Sequence, residues 1–439
     1  MKIRKICLVA GLATVALAAA AVLPASAQTP RAAANKASDV GVTADTIRIA
    51  VVADVDNPIL PGIFKSAVDG VNGAVKTINK SGGIAGRKLQ VDFIDSKLNP
   101  NEARNAIIKA CQQDFAMVGT AALFLTDVQD LVSCQDIKGN ASGLPDFGAI
   151  VAGTAEACAP TSFPVLASGT ICDTLTQNPQ TYQGNMGAAK FLLKKFGNLH
   201  GAFVVGNDTK PGYNAGYVLA ETVAAAGIKQ DQNVALSARA PQSVYTPVVS
   251  KMKQDGSNFA YGGAQASGNV QWRSEAQLQG LDPKTVWLCS SACYVKAFTD
   301  AGSAVDGNYV ALPFLPFEDA KFSQPMKNFV KAVGADKVES YSLYGYSATL
   351  AFQQAVQAAV KAGGNNNVTR TAVVDGAKTL TAFNAGGLLG TANLGQKKLS
   401  PCYVLMQIEN GKWSRVNPTK PGTFSCDPKN YKLLKLNLQ

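Results

Sequence analysis

The chain opens its regular pattern at Ile47 to Val52, a near-continuous apolar run broken only by Arg48, which reads as a strand buried on both faces. Ile63, Phe64, Ala67, Val68, Val71, Val75 and Ile78 then recur at helical spacing. The alternation continues with a strand at Leu89, Val91 and Phe93, a helix from Pro100 to Gln112, a strand from Phe115 to Gly119, a helix over Thr126–Val132 and a strand over Phe147–Val151. A Thr/Pro/Ser/Cys-rich stretch, Gly153–Gln180, interrupts this rhythm. After a helix at Met186–Phe196 it restarts: strands at Ala202–Gly206, Val234–Leu236, Asn258–Tyr261 and Thr285–Leu288, separated by helices at Ala215–Ala226, Thr246–Gln254 and Val270–Leu278. Tyr346–Lys361 reads as a helix apolar on most faces, and Tyr403–Ile408 with the Asn410-Gly411 turn as a late hairpin. Two α/β lobes, each with a mostly parallel sheet covered on both faces, are the expected fold class.

Ahead of this pattern, Lys2, Arg4 and Lys5 precede an apolar stretch from Ile6 to Leu23, followed by Pro24 and Ala25-Ser26-Ala27. That order is a secretory signal peptide, cleaved after Ala27, with a flexible lead over 28–40. Cys7 lies at the start of the apolar stretch and not at the cleavage point, so no lipid anchor is expected. The mature chain is expected to be exported, periplasmic or extracellular, and soluble.

Eight cysteines remain after the leader, in four sequence-local couples: Cys111 with Cys134, Cys158 with Cys172, Cys289 with Cys293, and Cys402 with Cys426. Eight cysteines allow 105 connectivities; local pairing in an oxidising compartment is the economical choice. A metal or redox role for Cys289 and Cys293 is the alternative, but a zinc site needs four ligands and the chain has one histidine. The net charge is +11, or +8 without Lys2, Arg4 and Lys5, and its positives are scattered, which argues for a solvated surface and against nucleic acid as a partner.

Catalytic chemistry finds little footing. His200 is the one histidine, Gly345-Tyr346-Ser347-Ala348-Thr349 lacks the second glycine of a nucleophile elbow, and neither phosphate-loop nor dinucleotide glycine pattern occurs. No enzyme activity and no cofactor or metal are expected. Open parallel sheets place ligands beyond the carboxyl ends of their strands, which directs attention to Ala53–Pro58, Thr120–Leu125, Ala152–Ala155, Asn207–Tyr213, Gly262–Ala266 and Ser290–Ser291.

The string Ile78-Asn79-Lys80-Ser81-Gly82-Gly83-Ile84-Ala85-Gly86-Arg87-Lys88-Leu89, followed by Asp95 and Asn99-Pro100, resembles the early signature of type I periplasmic solute-binding proteins of the branched-chain amino-acid (leucine/isoleucine/valine) type. Weaker likeness extends through Val118-Gly119, Asn207-Asp208, Tyr245–Val249 and Gly280-Leu281. The resemblance implies two Rossmann-like lobes joined by three crossovers in a Venus-flytrap arrangement, lobe 1 at 41–175 plus 318–395 and lobe 2 at 176–317 plus 396–439. It implies a monomer that closes on a small organic solute and delivers it to an ABC permease in the cytoplasmic membrane. The same module can instead serve a membrane receptor as a sensor; an envelope hydrolase is the remaining alternative.

Carried over residue by residue, Ala152-Gly153-Thr154 matches the turn that holds an α-carboxylate, and Tyr213 the aromatic of the second lobe. The serine expected after Gly119 aligns with Leu123, beside Ala121 and Ala122; the aromatic expected after Gly263 is Ala264; and the acid expected after Leu288 is replaced by Ser290 or Ser291. A buried ammonium without a carboxylate is costly, so a carboxylate, amide or apolar solute held by Thr154, Tyr213, Asn207, Gln265 and backbone donors is expected in place of a free α-amino acid. Asp54 or Asp56 would restore the amino-acid reading by supplying the missing charge.

Overall fold

Alternation along the strand β1 (Thr46–Ala53) decides what packs on each side of it. In the computed structural model, which describes residues 34–167 and 169–438, Ile47, Ile49 and Val51 face a core shared with Ala67, Val71 and Ala74 of α1 (Lys65–Lys80) and with Ala348, Ala351 and Phe352 of α11 (Ser340–Gly363). Ala50 and Val52 face the other way, onto Ala106, Ile107 and Ala110 of α2 (Pro100–Gln113). β1 sits between β2 (Lys88–Asp95) and β3 (Ala116–Val118), and β4 (Asp146–Phe147) completes a parallel sheet of order β2-β1-β3-β4. The signal peptide and residues 28–33 of the lead lie outside the described residues.

The second sheet obeys the same logic. β8 (His200–Gly206), β9 (Lys229–Leu236), β10 (Phe259–Gly263), β11 (Val286–Cys289) and β12 (Tyr309–Leu312) run parallel, and β13 (Cys402–Glu409) and β14 (Lys412–Asn417) extend the β12 edge antiparallel. Phe203, Val205, Phe259, Tyr261 and Leu288 pack on α5 (Gly187–Phe196) and α6 (Lys210–Ala224). Ala202, Val204, Ala260 and Trp287 pack on α7 (Thr246–Asp255) and α8 (Ala266–Leu278).

Between the sheets lie β5 (Ile150–Val151) paired with β6 (Leu166–Ala167), and β7 (Gln180–Asn185) paired antiparallel with β16 (Tyr431–Leu436). The strand expected over Phe147–Val151 is thus two: the chain turns at Gly148-Ala149, where Ala149 and Ile150 both donate to the Thr120 carbonyl, and β5 pairs away from the first sheet. Helix α3 covers only Gln129–Val132, α4 spans Thr154–Cys158 and α9 Lys296–Thr299. After β12 the chain returns to the first sheet with α10 (Gln324–Val333), α11 and α12 (Arg370–Lys378), then re-enters the second at β13. It therefore passes between the sheets three times.

The signature that carries the family likeness is structural throughout. Gly83, at φ +83°, stands where a Cβ would meet the Arg87 carbonyl at 1.9 Å. Arg87 is fully buried and donates to the carbonyls of Thr43, Lys36 and Asn365, tying the start of the described chain to the end of α11. Asn79 clamps Leu89 through both its N–H and C=O, Asp95 accepts the backbone N–H groups of Val55 and Asp56, and Asn99 caps α2 ahead of Pro100. Helices α1 and α11 cross on glycine: a Cβ on Gly70 would lie 1.9 Å from the Ser342 oxygen, and one on Gly345 2.1 Å from the Ala67 oxygen.

Disulfides join Cys111 to Cys134, Cys158 to Cys172, Cys289 to Cys293 and Cys402 to Cys426. Among the described residues no helix is long and apolar enough to cross a membrane, and no group of His, Cys, Asp and Glu is disposed to hold a metal ion.

Candidate functional site

Asn35–Gln439 forms one compact unit, and where the carboxyl ends of strands from both sheets meet within it there is a cavity of about 390 Å³, a size typical of small-molecule sites. Its walls come from many segments. The first sheet contributes Leu60, Ile63 and Phe64 ahead of α1, and Leu123 after β3; α11 contributes Tyr341 and Tyr344 from its first two turns. The second contributes Gly263 at the end of β10 and Gln265 after it, Ser290 and Ser291 after β11, and Ala215, Val218, Leu219 and Thr222 along α6. The connecting segments supply Ile150–Ala152, Pro164–Ala167, Gln183–Asn185 and Lys397–Ser400.

The polar side chains in this wall are largely engaged by the protein itself. Asn185 donates to the carbonyls of Ser400 and Cys402 and accepts from Gly187 N–H, while Thr222 donates to Val218 O. Thr209 caps α6, the Ser290 hydroxyl accepts from Ala292 N–H, and the hydroxyls of Ser291 and Tyr344 are 3.5 Å apart. Asp208 is the lining carboxylate: its Oδ1 accepts the Ser237 hydroxyl at 2.5 Å and its Oδ2 the Ala238 N–H at 2.8 Å. The rest of the wall is mostly apolar, dominated by Leu60, Ile63, Phe64, Leu123, Val165, Leu166, Val218 and Leu219, with Gln265, Lys397 and Lys398 among its polar members.

Of the positions singled out from the sequence, Leu123, Ala152, Gly263, Ala264, Gln265, Ser290 and Ser291 come together on this wall. The others do not line it. Asp54 is fully buried behind Leu123, its carboxylate accepting from Ser96 Oγ at 2.6 Å, Leu98 N–H at 2.8 Å and Leu123 N–H at 2.7 Å. Burial pushes its pKa up against the pull of those three bonds. Asp56 is exposed and anchored through its N–H to Asp95. Neither carboxylate is among the groups that line the cavity.

Ala121 is consumed in pairing with Val52 and Asp54, and Ala122 packs in the core toward α2. Gly153 precedes α4 and Thr154 begins it, just beyond lining Ala152. Asn207 turns outward to the Ala235 carbonyl. Tyr213 stacks on Tyr217, ring centroids 5.9 Å apart, so that its helix neighbours Gly212, Ala215 and Gly216 face the cavity instead. His200 pairs through Nδ1 with Asp231 at 2.6 Å, and the two are outside the cavity lining.

Sequence reasoning missed Tyr341 and Tyr344 and the apolar faces of α5 and α6. Their spacing is indistinguishable from that of core-packing residues, and indeed the Tyr344 ring packs edge-on against Phe314 at 5.5 Å. Lys397 was also missed. It follows a short 3₁₀ turn at φ +56°, and its ammonium donates to the carbonyls of Ala157 and Ala159, which lie outside the cavity lining.

Comparison with known structures agrees with this architecture. A fatty acid ABC transporter substrate-binding protein from Thermomonospora curvata superposes with a TM-score of 0.66 at 14% identity, over 86% of this chain and 92% of that one. A leucine-binding protein from Thermotoga maritima gives 0.63 at 14% identity, covering 85% of this chain and 99% of that chain. A branched-chain amino acid transporter substrate-binding protein from Streptococcus pneumoniae, solved with isoleucine, gives 0.63 at 15% identity, covering 85% and 100%. No curated protein matches the sequence. The model of the periplasmic binding protein family matches residues 46–412, and the chain belongs to that family.

Proposed function

We propose that this protein captures a small organic solute with a predominantly apolar body and delivers it to an ABC permease in the cytoplasmic membrane, acting as a monomer outside the cytoplasm. Capture uses hinge closure of lobe 1 (41–175 plus 318–395) on lobe 2 (176–317 plus 396–439). The single observation that carries the solute class is the cavity wall: apolar along most of its length, with its one lining carboxylate, Asp208, already satisfied by Ser237 and Ala238. An α-amino acid would find only Asp208 to meet its ammonium, and that carboxylate is already turned to Ser237 and Ala238, so much of a desolvation cost of several kcal/mol would go unrecovered. An apolar body gains roughly 25 cal/mol for each Å² it removes from water. The structural relatives support the reading in a limited way: one is named for fatty acids and two for branched-chain amino acids, so solutes of both kinds are associated with this fold.

The exported chain, stripped of bound solute in denaturant and refolded with its disulfides intact, tests this in a thermal-shift panel. A ligand held at about 100 times its Kd stabilises the native state by about 2.7 kcal/mol, which raises the melting temperature by several degrees. Apolar carboxylates, amides or other apolar solutes are expected to produce that shift. A shift with leucine, isoleucine or valine and none with the apolar panel overturns the proposal.

A further inference from the structure

The wall segment after β11 is closed into a ring by a disulfide. Cys289, Ser290, Ser291 and Ala292 are four consecutive lining residues, and the bond from Cys289 to Cys293 brackets them. Sheet pairing stops at Cys289, the last position of β11, in register with Gly262 on one side and Val310 on the other. Beyond it Ser290 N–H reaches the Gly262 carbonyl only at 3.4 Å, and the backbone makes one 3₁₀ turn, Ser291–Cys293, in which Cys293 N–H donates to Ser290 O at 3.1 Å. A single turn of this kind is weakly held. Two anchors reinforce it. The disulfide ties the end of the turn to the end of the strand, and Ser340, in the first turn of α11, shares its hydroxyl proton between the carbonyls of Ser291 and Tyr294 at 3.2 and 3.3 Å. Together they hold the Ser291 hydroxyl 3.5 Å from that of Tyr344, where a wall segment of the second sheet meets the helix beneath the first.

Chain position separates this disulfide from the others. The residues it joins are 4 apart, against 23 for Cys111–Cys134, 14 for Cys158–Cys172 and 24 for Cys402–Cys426. The entropy that a cross-link removes from the unfolded chain grows with the length it encloses, so this ring is the weakest staple of the fold as a whole. The longer rings also span wall residues, but those are held by other means: Leu123 by Asp54, and Leu166–Ala167 by pairing with β5. Cys402–Cys426 joins two positions already paired between strands. Cys289 and Cys293 are both buried, against Ala266, Phe298, Val305 and Ile408, which shields the bond from dissolved reductant and makes it a fixed part of the wall.

We propose that the Cys289–Cys293 disulfide is a positioning element of the solute site, fixing the Ser290–Ala292 wall, and with it the Ser291–Tyr344 contact, before a solute arrives. This rests on the reading of the cavity as a solute site and adds to it the bond that makes one wall rigid. The gain is in pre-organisation. A segment that must be ordered when the solute binds subtracts its ordering entropy from the affinity, and a segment already ordered does not.

The test compares two double variants of the exported chain, stripped and refolded: Cys289→Ala/Cys293→Ala and, as the control away from this wall segment, Cys111→Ala/Cys134→Ala. Each is read by calorimetric titration with octanamide and octanoate, by urea unfolding and by amide hydrogen exchange. Cys289→Ala/Cys293→Ala is expected to weaken whichever probe binds the parent by about fivefold or more, and to speed exchange over 289–294 and at the start of α11 while β8 and β10 exchange as in the parent. Its urea midpoint is expected to fall less than that of Cys111→Ala/Cys134→Ala, which keeps probe affinity within about twofold. Ser340→Ala loosens the same segment from the α11 side and is expected to reduce affinity in the same direction. Parent affinity and parent exchange retained in Cys289→Ala/Cys293→Ala overturn the positioning role. Failure of that variant to fold, or loss of protection throughout the second sheet, makes the bond a staple of the fold and overturns it equally. If neither probe binds the parent, the apolar reading of the solute fails, and exchange over 289–294 in the solute-free chain still decides the positioning role.

Discussion

The carboxylate of Asp54 accepts the backbone N–H of Leu123 at 2.7 Å, locking the loop after β1 to the loop after β3 directly behind the cavity wall. Its other oxygen fixes Ser96 and Leu98 after β2, so one buried side chain sets the carboxyl-end geometry of three strands. An acid that the sequence offers as a ligand group is thus part of the frame on which the wall is mounted.

Replacing Asp54 with alanine leaves Ser96 Oγ and the N–H groups of Leu98 and Leu123 buried without their acceptor. A loss of roughly 2–4 kcal/mol is expected, and Asp54→Asn, which keeps one acceptor oxygen, should cost less. Urea unfolding of the two variants checks the order; equal stability of parent and alanine variant would contradict the framing role.

Ser291→Asp installs a carboxylate on the wall beside Tyr344, where the hydroxyls are now 3.5 Å apart. An ionised carboxylate must be desolvated there and repels an anionic solute, so affinity for apolar carboxylates is expected to drop at least about tenfold. Titration against octanoate measures it, with the melting temperature monitoring the fold.

The strands around this site were legible in the sequence, and the reason is periodicity. β1, β8, β10 and β11 are buried on both faces, and such runs stand out from their flanks. Helix α11 was readable only from Tyr346; its first turn is masked by the polar Ser340 and Ser342, which are nevertheless buried. β16 escaped because its partner β7 lies far back along the chain and its alternation, Tyr-Lys-Leu-Leu-Lys-Leu, leaves most of its residues partly exposed. α10 and α12 were missed as well, each short and polar on its outer face. At the site, loop positions after β10 and β11 followed from the strand-end rule. Thr154 and Tyr213 fell beside the wall, because a motif transferred by alignment fixes the segment but not which side chain faces inward.

Gly345→Ala tests the helix crossing beneath the first sheet. The added methyl carbon would lie 2.1 Å from the Ala67 carbonyl oxygen, so α1 and α11 must separate along their buried faces. A destabilisation of about 2–3 kcal/mol is expected despite the better helix propensity of alanine, and chemical denaturation reads it directly.

Asp114 predicts a pH signature. Burial, reinforced by the neighbouring Asp92, raises its pKa to about 7, with Arg48 and Lys109 opposing the shift; its oxygens have no hydrogen-bonding partner of ordinary geometry. A carboxyl whose native pKa lies above its unfolded value binds more protons when folded, so stability falls as pH rises between about 4 and 7. Asp114→Asn removes that dependence. Its stability advantage over the parent is expected to grow across that interval and level off above pH 7, as followed by urea melts at pH 4.5, 6 and 8; an advantage independent of pH would exclude Asp114 as the source.

The threefold passage of the chain between the sheets sets an order of assembly. The face of β1 carrying Ile47, Ile49 and Val51 is completed by α11, which is synthesised only after nearly the whole second sheet. A chain synthesised amino end first therefore has that face of β1 covered only by α1, with its core incomplete until Ser340–Gly363 is made. Contacts this distant in sequence make folding slow relative to local structure. Cutting the gene between the two sheets would therefore leave the first-sheet piece without the helix that completes its core.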